Sequence, residues 1–155
     1  MRKGMTPRTL TVAGLMSGTS ADGIDVAIVR VSPKSGGTGL KLLHHKTFAF
    51  PAALRRCILN AMDTPSISVA ELSRLLTRLG VAYADALEKT LRMSKLRIDL
   101  AGCHGQTLYH QATPKRFLGR SIATTWQALD PAPAVARPPS LQLRSPAPGG
   151  AVMIF

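Results

Sequence analysis

The sequence predicts an α/β fold. Three observations carry that expectation: short apolar segments separated by turn clusters over the first fifty residues, a long helical stripe after Ser68, and a further apolar strand ending near His104. Residues 10–16 form a short Val- and Leu-containing run that reads as a buried strand, and it ends in the small turn formers of residues 17–23. Residues 23–31 resume with Ile24, Val26, Ile28 and Val29, so the two runs read as a hairpin. A second turn at 33–39 and a third strand at 40–50 complete an antiparallel meander. Pro51 suits the first turn of a helix in which Leu54, Ile58 and Met62 keep helical spacing. Beyond Pro65, Ser68 and Glu71 form a capping-box pattern. From there Leu72, Leu75, Leu76, Leu79, Tyr83, Ala86 and Leu87 trace one apolar face at three- and four-residue steps. Residues 98–103 read as a fourth strand closed by a turn at 104–107; 108–111 is a short segment, and 117–127 a strand or hairpin around Gly119.

Bulk properties narrow the function classes. The chain has 155 residues, enough for one domain with a core, and 45% of them are apolar. Its net charge of +12 raises nucleic acid as a partner, but the basic residues are scattered, from Arg2, Lys3 and Arg8 through Arg55, Arg56, Arg74 and Arg78 to Arg92, Lys95 and Arg97. There is no dense basic block and no interleaved aromatic ladder to stack bases. A solvated basic surface with a modest attraction for phosphates is expected, and no nucleic-acid partner. No run approaches the roughly 18 apolar residues of a membrane span, so no membrane association is expected. Cys57 and Cys103 match no metal or redox spacing and read as buried small hydrophobes in a reducing compartment. Arg2 and Lys3 followed by residues 9–16 could pass for a signal peptide, but the apolar stretch is short and broken by Thr9 and Thr11. It reads as the first strand of a cytoplasmic protein, behind an extension over residues 1–8.

Two segments carry candidate chemistry. In Ser17-Gly18-Thr19-Ser20-Ala21-Asp22-Gly23-Ile24-Asp25, small residues let backbone N–H groups approach a ligand and hydroxyls add donors, so the turn can cradle phosphate oxygens. Asp22 and Asp25 are hard oxygen ligands of the kind Mg2+ accepts. No Gly-Lys-Ser/Thr follows, so this is not a Walker A loop; by spacing alone an ordinary Gly/Ser-rich hairpin turn is the stronger reading. In Gly102-Cys103-His104-Gly105-Gln106-Thr107, His104 and Gln106 can bind sugar hydroxyls and Gly105 permits close backbone approach. Taken by itself, a capped strand end with a surface histidine is the stronger reading. Cys103, His104 and His110 make a weak metal signal without a fourth ligand.

Residues 13–25, with Met16-Ser17-Gly18-Thr19-Ser20-Ala21-Asp22-Gly23-Ile24-Asp25 at their centre, resemble the N-terminal signature of the anhydro-N-acetylmuramic acid kinases. His104-Gly105-Gln106-Thr107 matches that family's second motif in the right order, and the likeness extends over residues 9–127. The resemblance implies a ribonuclease H-like lobe of the sugar kinase/Hsp70/actin superfamily. It implies ATP and Mg2+ as cofactors, with Gly18, Thr19, Ser20, Ala21, Asp22, Gly23, Ile24 and Asp25 as the ATP-binding loop and Asp22 or Asp25 near the metal. It places His104, Gly105, Gln106 and Thr107 on the side of an amino-sugar substrate. The implied reaction cleaves the 1,6-anhydro ring and phosphorylates O6, giving N-acetylmuramic acid 6-phosphate. A homodimer is open for the full-length family.

Relatives continue past the Thr-Thr-Trp-Gln strand with an Ile-Gly-Glu/Asp-like turn, a helix and an Asp-Phe-Arg, Asp-x-Ala-Ala-Gly-Gly segment that supplies the catalytic aspartate. Residues 128–155 contain none of this. They hold six of the eleven prolines and one acidic residue, Asp130, a composition that opposes regular structure. A disordered tail is expected there, of the texture a GC-rich gene gives when read in the wrong frame, with the general base missing. The alternative from another class is a non-catalytic fragment that binds nucleotide or sugar.

Overall fold

A period of two builds the first half of the chain. In β1 (Leu10–Ser17) Ala13, Leu15 and Ser17 are buried while Gly14 and Met16 are exposed; in β2 (Gly23–Lys34) Ile24, Val26 and Ile28 are buried in alternation. The computed structural model describes residues 8–135 and 152–154. β1 and β2 pair antiparallel from Leu10↔Val31 to Met16↔Asp25, and β2 pairs antiparallel with β3 (Gly37–Ala49) along its whole length. The expected meander is present, but its second turn is tighter than residues 33–39. Only Ser35 and Gly36 separate the two strands, with Gly36 at φ +81, a short connection whose positive φ suits strand twist. Pro33 sits past the last residue that β2 pairs with β1, where the strand has one neighbour and a missing N–H costs little.

Two helices follow, α1 (Ala52–Asp63) and α2 (Val69–Ser94). The capping box forms: Glu71 N–H donates to Ser68 Oγ at 3.2 Å, and Ser68 N–H donates to the Glu71 carboxylate at 3.3 Å. The Ser68 hydroxyl also donates to that carboxylate at 2.7 Å, and this bond, with the Ser68 N–H behind it, favours the ionised form and holds the Glu71 carboxyl below its ordinary pKa. The predicted stripe of α2 packs inward. Leu75, Leu79, Tyr83 and Leu87 join Leu54 and Ile58 of α1 against Leu15, Val26, Ile28, Ile98 and Ala101. The other end of α2 stops at Lys95, whose left-handed φ of +54 turns the chain back toward the sheet.

The chain then enters β4 (Leu100–Phe117), and here the sequence expectation needs correcting. His104 to Thr107 is not a turn that closes a short strand; it lies inside one strand of 18 residues. The reason is a change of partner. β4 runs parallel to β1 from Leu100 to Cys103 and, after a register shift, again at Gln106, where it also begins to pair antiparallel with β5 (Arg120–Ala128). Between the two partnerships the register with β1 shifts, and Gly105 takes φ +76. A Cβ there would lie 3.1 Å from the Ala128 carbonyl oxygen, so glycine allows both the kink and the close approach. The tight hairpin around Gly119 is as expected, with Leu118 and Gly119 both at positive φ. The resulting mixed sheet has the order β3-β2-β1-β4-β5.

Regular structure also continues beyond Gln127. Ala128 ends β5 and is buried, Asp130 N–H donates to the Leu76 carbonyl at 3.3 Å, and Thr77 Oγ1 donates to Asp130 Oδ2 at 3.0 Å. The other Asp130 oxygen accepts from Ala132 N–H at 3.0 Å, at the start of the short helix α3 (Ala132–Val135). Proline does not oppose this arrangement, because Pro131 and Pro133 fall at the beginning of a helical turn where no N–H bond is required. A last strand, β6 (Val152–Ile154), lies parallel to the first residues of β4. Residues 136–151, where most of the expected tail falls, lie outside the described residues. No helix among the described residues is long and apolar enough to cross a membrane.

Gly80 decides whether this docking is real. Its added Cβ would meet the Asp130 carbonyl oxygen at 2.0 Å and Pro133 at 3.1 Å. Alanine in an exposed helix interior stabilises by about 1 kcal/mol over glycine. Gly80→Ala should instead destabilise by about 1–3 kcal/mol, the range for overpacking, in urea denaturation; a gain in stability would show that residues 130–133 do not sit on α2.

Candidate functional site

Both sequence motifs meet at one end of the parallel pair β1/β4. Ser17, the last residue of β1, is fully buried and its Oγ donates to Gln106 Oε1 at 2.7 Å. The amide nitrogen of Gln106 donates to the Gly18 carbonyl at 2.9 Å and to the Thr107 carbonyl at 3.1 Å. Gln106 is itself fully buried. A buried amide with open bonds would cost several kcal/mol, so its saturation is the reason it can occupy this position. The carboxyl ends of parallel strands are where α/β sheets gather ligand-binding groups, and here that end carries the glycine-rich turn.

Within the turn the residues divide by role. Ala21 and Ile24 are buried in the core and anchor it. Gly23 passes so close to β3 that a Cβ would meet the Phe48 carbonyl oxygen at 2.3 Å. Gly18, Thr19, Ser20 and Asp22 are exposed. Ala21 has φ +50, a conformation costly for a residue with a Cβ, and its N–H donates to the Gly18 carbonyl at 3.2 Å. Asp22 Oδ1 faces Arg55 at 3.0 Å, and Asp25 Oδ1 accepts from Thr47 Oγ1 at 2.5 Å with His45 Nε2 at 3.3 Å. Among the described residues no three His, Cys, Asp or Glu side chains gather as a metal cluster.

The second motif divides in the same way. His104 is exposed, whereas Gly105, Gln106 and Thr107 are buried. His104 and Gly105 border a cavity of about 400 Å³ with Cys103, Gln127 and Leu129. Of the two cysteines expected to be buried, Cys57 is exposed on α1 and only Cys103 is buried; burial pushes the Cys103 thiol up to about 11, so it stays protonated at neutral pH. A larger groove of about 610 Å³ runs between α1 and α2 around Leu54, Cys57 and Leu75. It holds no residue of either motif, so size does not mark the site here.

Two residues at this end carry no sequence signal. Arg55 is one cation among many in the sequence, yet from α1 it reaches the turn. Tyr83 belongs to the apolar stripe of α2, yet its hydroxyl lies beside Ser17 and Cys103, with no hydrogen bond of good geometry to satisfy it. Burial pushes its phenol well above the usual range.

The Gln106 bonds give a direct expectation. Gln106→Leu keeps the volume but strips partners from Ser17 and from the Gly18 and Thr107 carbonyls, and each buried polar group left open costs about 1–3 kcal/mol. A loss of at least the lower figure in chemical denaturation is expected; a neutral variant would mean that the two motifs are not tied through this amide.

Comparison with known proteins bears on the same residues. Residues 10–129 match the family profile described as anhydro-N-acetylmuramic acid kinase. The anhydro-N-acetylmuramic acid kinase of Bacillus cereus (strain Q1) is 39% identical over 124 residues, covering 78% of this chain and 32% of the relative. That of Synechococcus elongatus is 41% identical over 119 residues, covering 77% of this chain and 31% of the relative. The chain thus spans about a third of the length of the curated relatives it matches. Among solved structures, a chain of CasPhi-2 bound to crRNA and phosphorothioate-DNA aligns over 77% of this chain and 21% of its own, at 11% identity and a TM-score of 0.22, which carries no argument. With both motifs inside the matched span and joined in space, the chain belongs to the anhydro-N-acetylmuramic acid kinase family.

Proposed function

We propose that this end of the sheet binds Mg2+-ATP through the turn at Gly18 to Asp25 and an amino sugar beside His104 to Thr107. The observation that carries the reading is the Gln106 amide, which bonds residues of both motifs and so makes them one constellation. Exposed Thr19, Ser20 and Gly18 offer hydroxyl and backbone donors, and the space above Gly18 is open, with Ser20 Oγ the nearest atom to an added Cβ at 3.9 Å. Asp22 and Asp25 alone are a thin donor set for a metal. They fit Mg2+ because that ion is commonly held by one or two carboxylates together with water and phosphate oxygens. When bound, ATP and Mg2+ would supply the phosphoryl group and neutralise its charge. His104, exposed at the cavity, is placed to meet a sugar hydroxyl, while Gln106 and Thr107 hold the strand behind it.

For the family at full length we propose phosphorylation of 1,6-anhydro-N-acetylmuramic acid at O6 with opening of the anhydro ring by water. The product is N-acetylmuramic acid 6-phosphate, in cytoplasmic cell-wall recycling. The lobe reads as ribonuclease H-like, supported by an antiparallel β3-β2-β1 meander with β4 returning parallel to β1 after two helices. The 155-residue chain alone should not turn over. Its eight acidic residues are assigned: Asp22 and Asp25 at the turn, Asp99 on the Thr11 amide at 2.7 Å, Asp130 on Thr77, Glu71 in its cap, Glu88 against Arg92, Asp63 ending α1 and Asp85 on α2. We assign none of them the role of general base, a deficit that costs about 10²–10⁴ in rate.

Calorimetric titration with Mg2+-ATP should show binding that falls by about tenfold or more in Asp22→Ala and in Asp25→Ala, the scale of a lost charge contact. Incubation with the anhydro sugar and ATP should give no sugar phosphate by mass spectrometry. Binding indifferent to both substitutions would reduce the loop to a turn, and robust turnover would show that the chain carries its own base.

A further inference from the structure

Arg55 stands on the first full turn of α1 and makes three contacts to three consecutive residues of the glycine-rich turn. Its Nε donates to the Ala21 carbonyl at 3.1 Å, and its Nη2 donates to Asp22 Oδ1 at 3.0 Å and, more weakly, to the Ser20 carbonyl at 3.4 Å. The strand that precedes α1 is tied to the same place, since Phe50 N–H donates to the Asp22 carbonyl at 3.3 Å. The helix start and the turn are therefore joined by both backbone and side chain.

The turn needs such a tie. Ala21 holds a left-handed φ of +50 despite its Cβ, and its methyl is fully buried. Such conformations persist where surrounding contacts over-determine them. The core fixes Ala21 from inside; Arg55 grips its carbonyl from outside. A planar guanidinium can serve a carbonyl and a carboxylate at once, which a lysine ammonium does with far less directional control. The contact to Asp22 is to Oδ1, so Arg55 orients the carboxylate while Oδ2 remains for another partner.

We propose that Arg55 is a positioning residue for polyphosphate binding: it locks the left-handed Ala21 and aims Asp22, so that the turn is already shaped for a magnesium-bound phosphate ligand. This rests on the reading of the turn as the ATP site, and the test separates the two.

Amide exchange by NMR and calorimetric titration with Mg2+-ATP would be run on the 155-residue chain and on Arg55→Ala and Arg55→Lys. In Arg55→Ala the Ala21 amide should exchange about tenfold faster, while amides of Leu79 and Tyr83 keep their protection, because the loss is confined to the turn. Mg2+-ATP affinity should drop by about tenfold, the scale of one charge-assisted hydrogen bond. Arg55→Lys should restore part of the affinity through its charge but little of the Ala21 protection. Unchanged exchange at Ala21 in Arg55→Ala would overturn the proposal, as would full recovery of both readouts by lysine. If the unmodified chain fails to bind Mg2+-ATP, the ATP reading falls and with it the ligand named here, while the exchange arm still decides for or against Arg55 as the clamp of the turn.

Discussion

The buried amide of Gln106 is the interaction on which the rest of this end of the protein depends. A glutamine side chain has two donors and a carbonyl oxygen, and in a dry interior each must find a partner. Here the partners are Ser17, Gly18 and Thr107, which belong to two strands separated by almost ninety residues of chain. Any displacement of β4 along β1 would open the bonds to Ser17 and Gly18. The amide therefore sets the register at the point where β4 leaves β1 for β5, and it does so next to the turn that exposes Gly18, Thr19 and Ser20.

Several features become consequences of that constraint. β4 must kink to change partners without losing Gln106 from the interior, and Gly105 supplies the positive φ and the room for the Ala128 carbonyl. The same kink leaves His104 exposed beside a cavity while its neighbours turn inward. The turn after β1 is held at its first residues by Gln106 and at Ala21 and Asp22 by Arg55. Gripped from both sides, it presents its donors without having to be ordered by a ligand, and preorganisation of this kind lowers the entropic cost of binding.

Much of this was legible in the chain, and what was not has identifiable causes. α2 could be read because its signals are local: the Ser68–Glu71 box and a stripe repeating every three or four residues. The meander could be read from its alternation, although Pro33 and Gly39 made the second turn look longer than it is. β4 was misjudged because Gly105 and its polar neighbours have the composition of a turn, and only the change of strand partner explains why they continue a strand. Gln106 reads from its chemistry as a group that binds sugar hydroxyls; its burial follows from the kink. Arg55 and Asp130 act on residues 33 and 53 positions away, respectively, and no local pattern marks such contacts. The order of residues 128–135 was hidden for the same reason, since it depends on Gly80 having no Cβ.

The central claim is that two motifs distant in sequence form one ligand site. Two-dimensional NMR of the labelled chain during a Mg2+-ATP titration tests it most directly. The account predicts that amides from Gly18 to Gly23 and from His104 to Thr107 shift together along a single binding curve. Shifts confined to one motif, or centred on Leu54, Cys57 and Leu75 in the groove between α1 and α2, would contradict it.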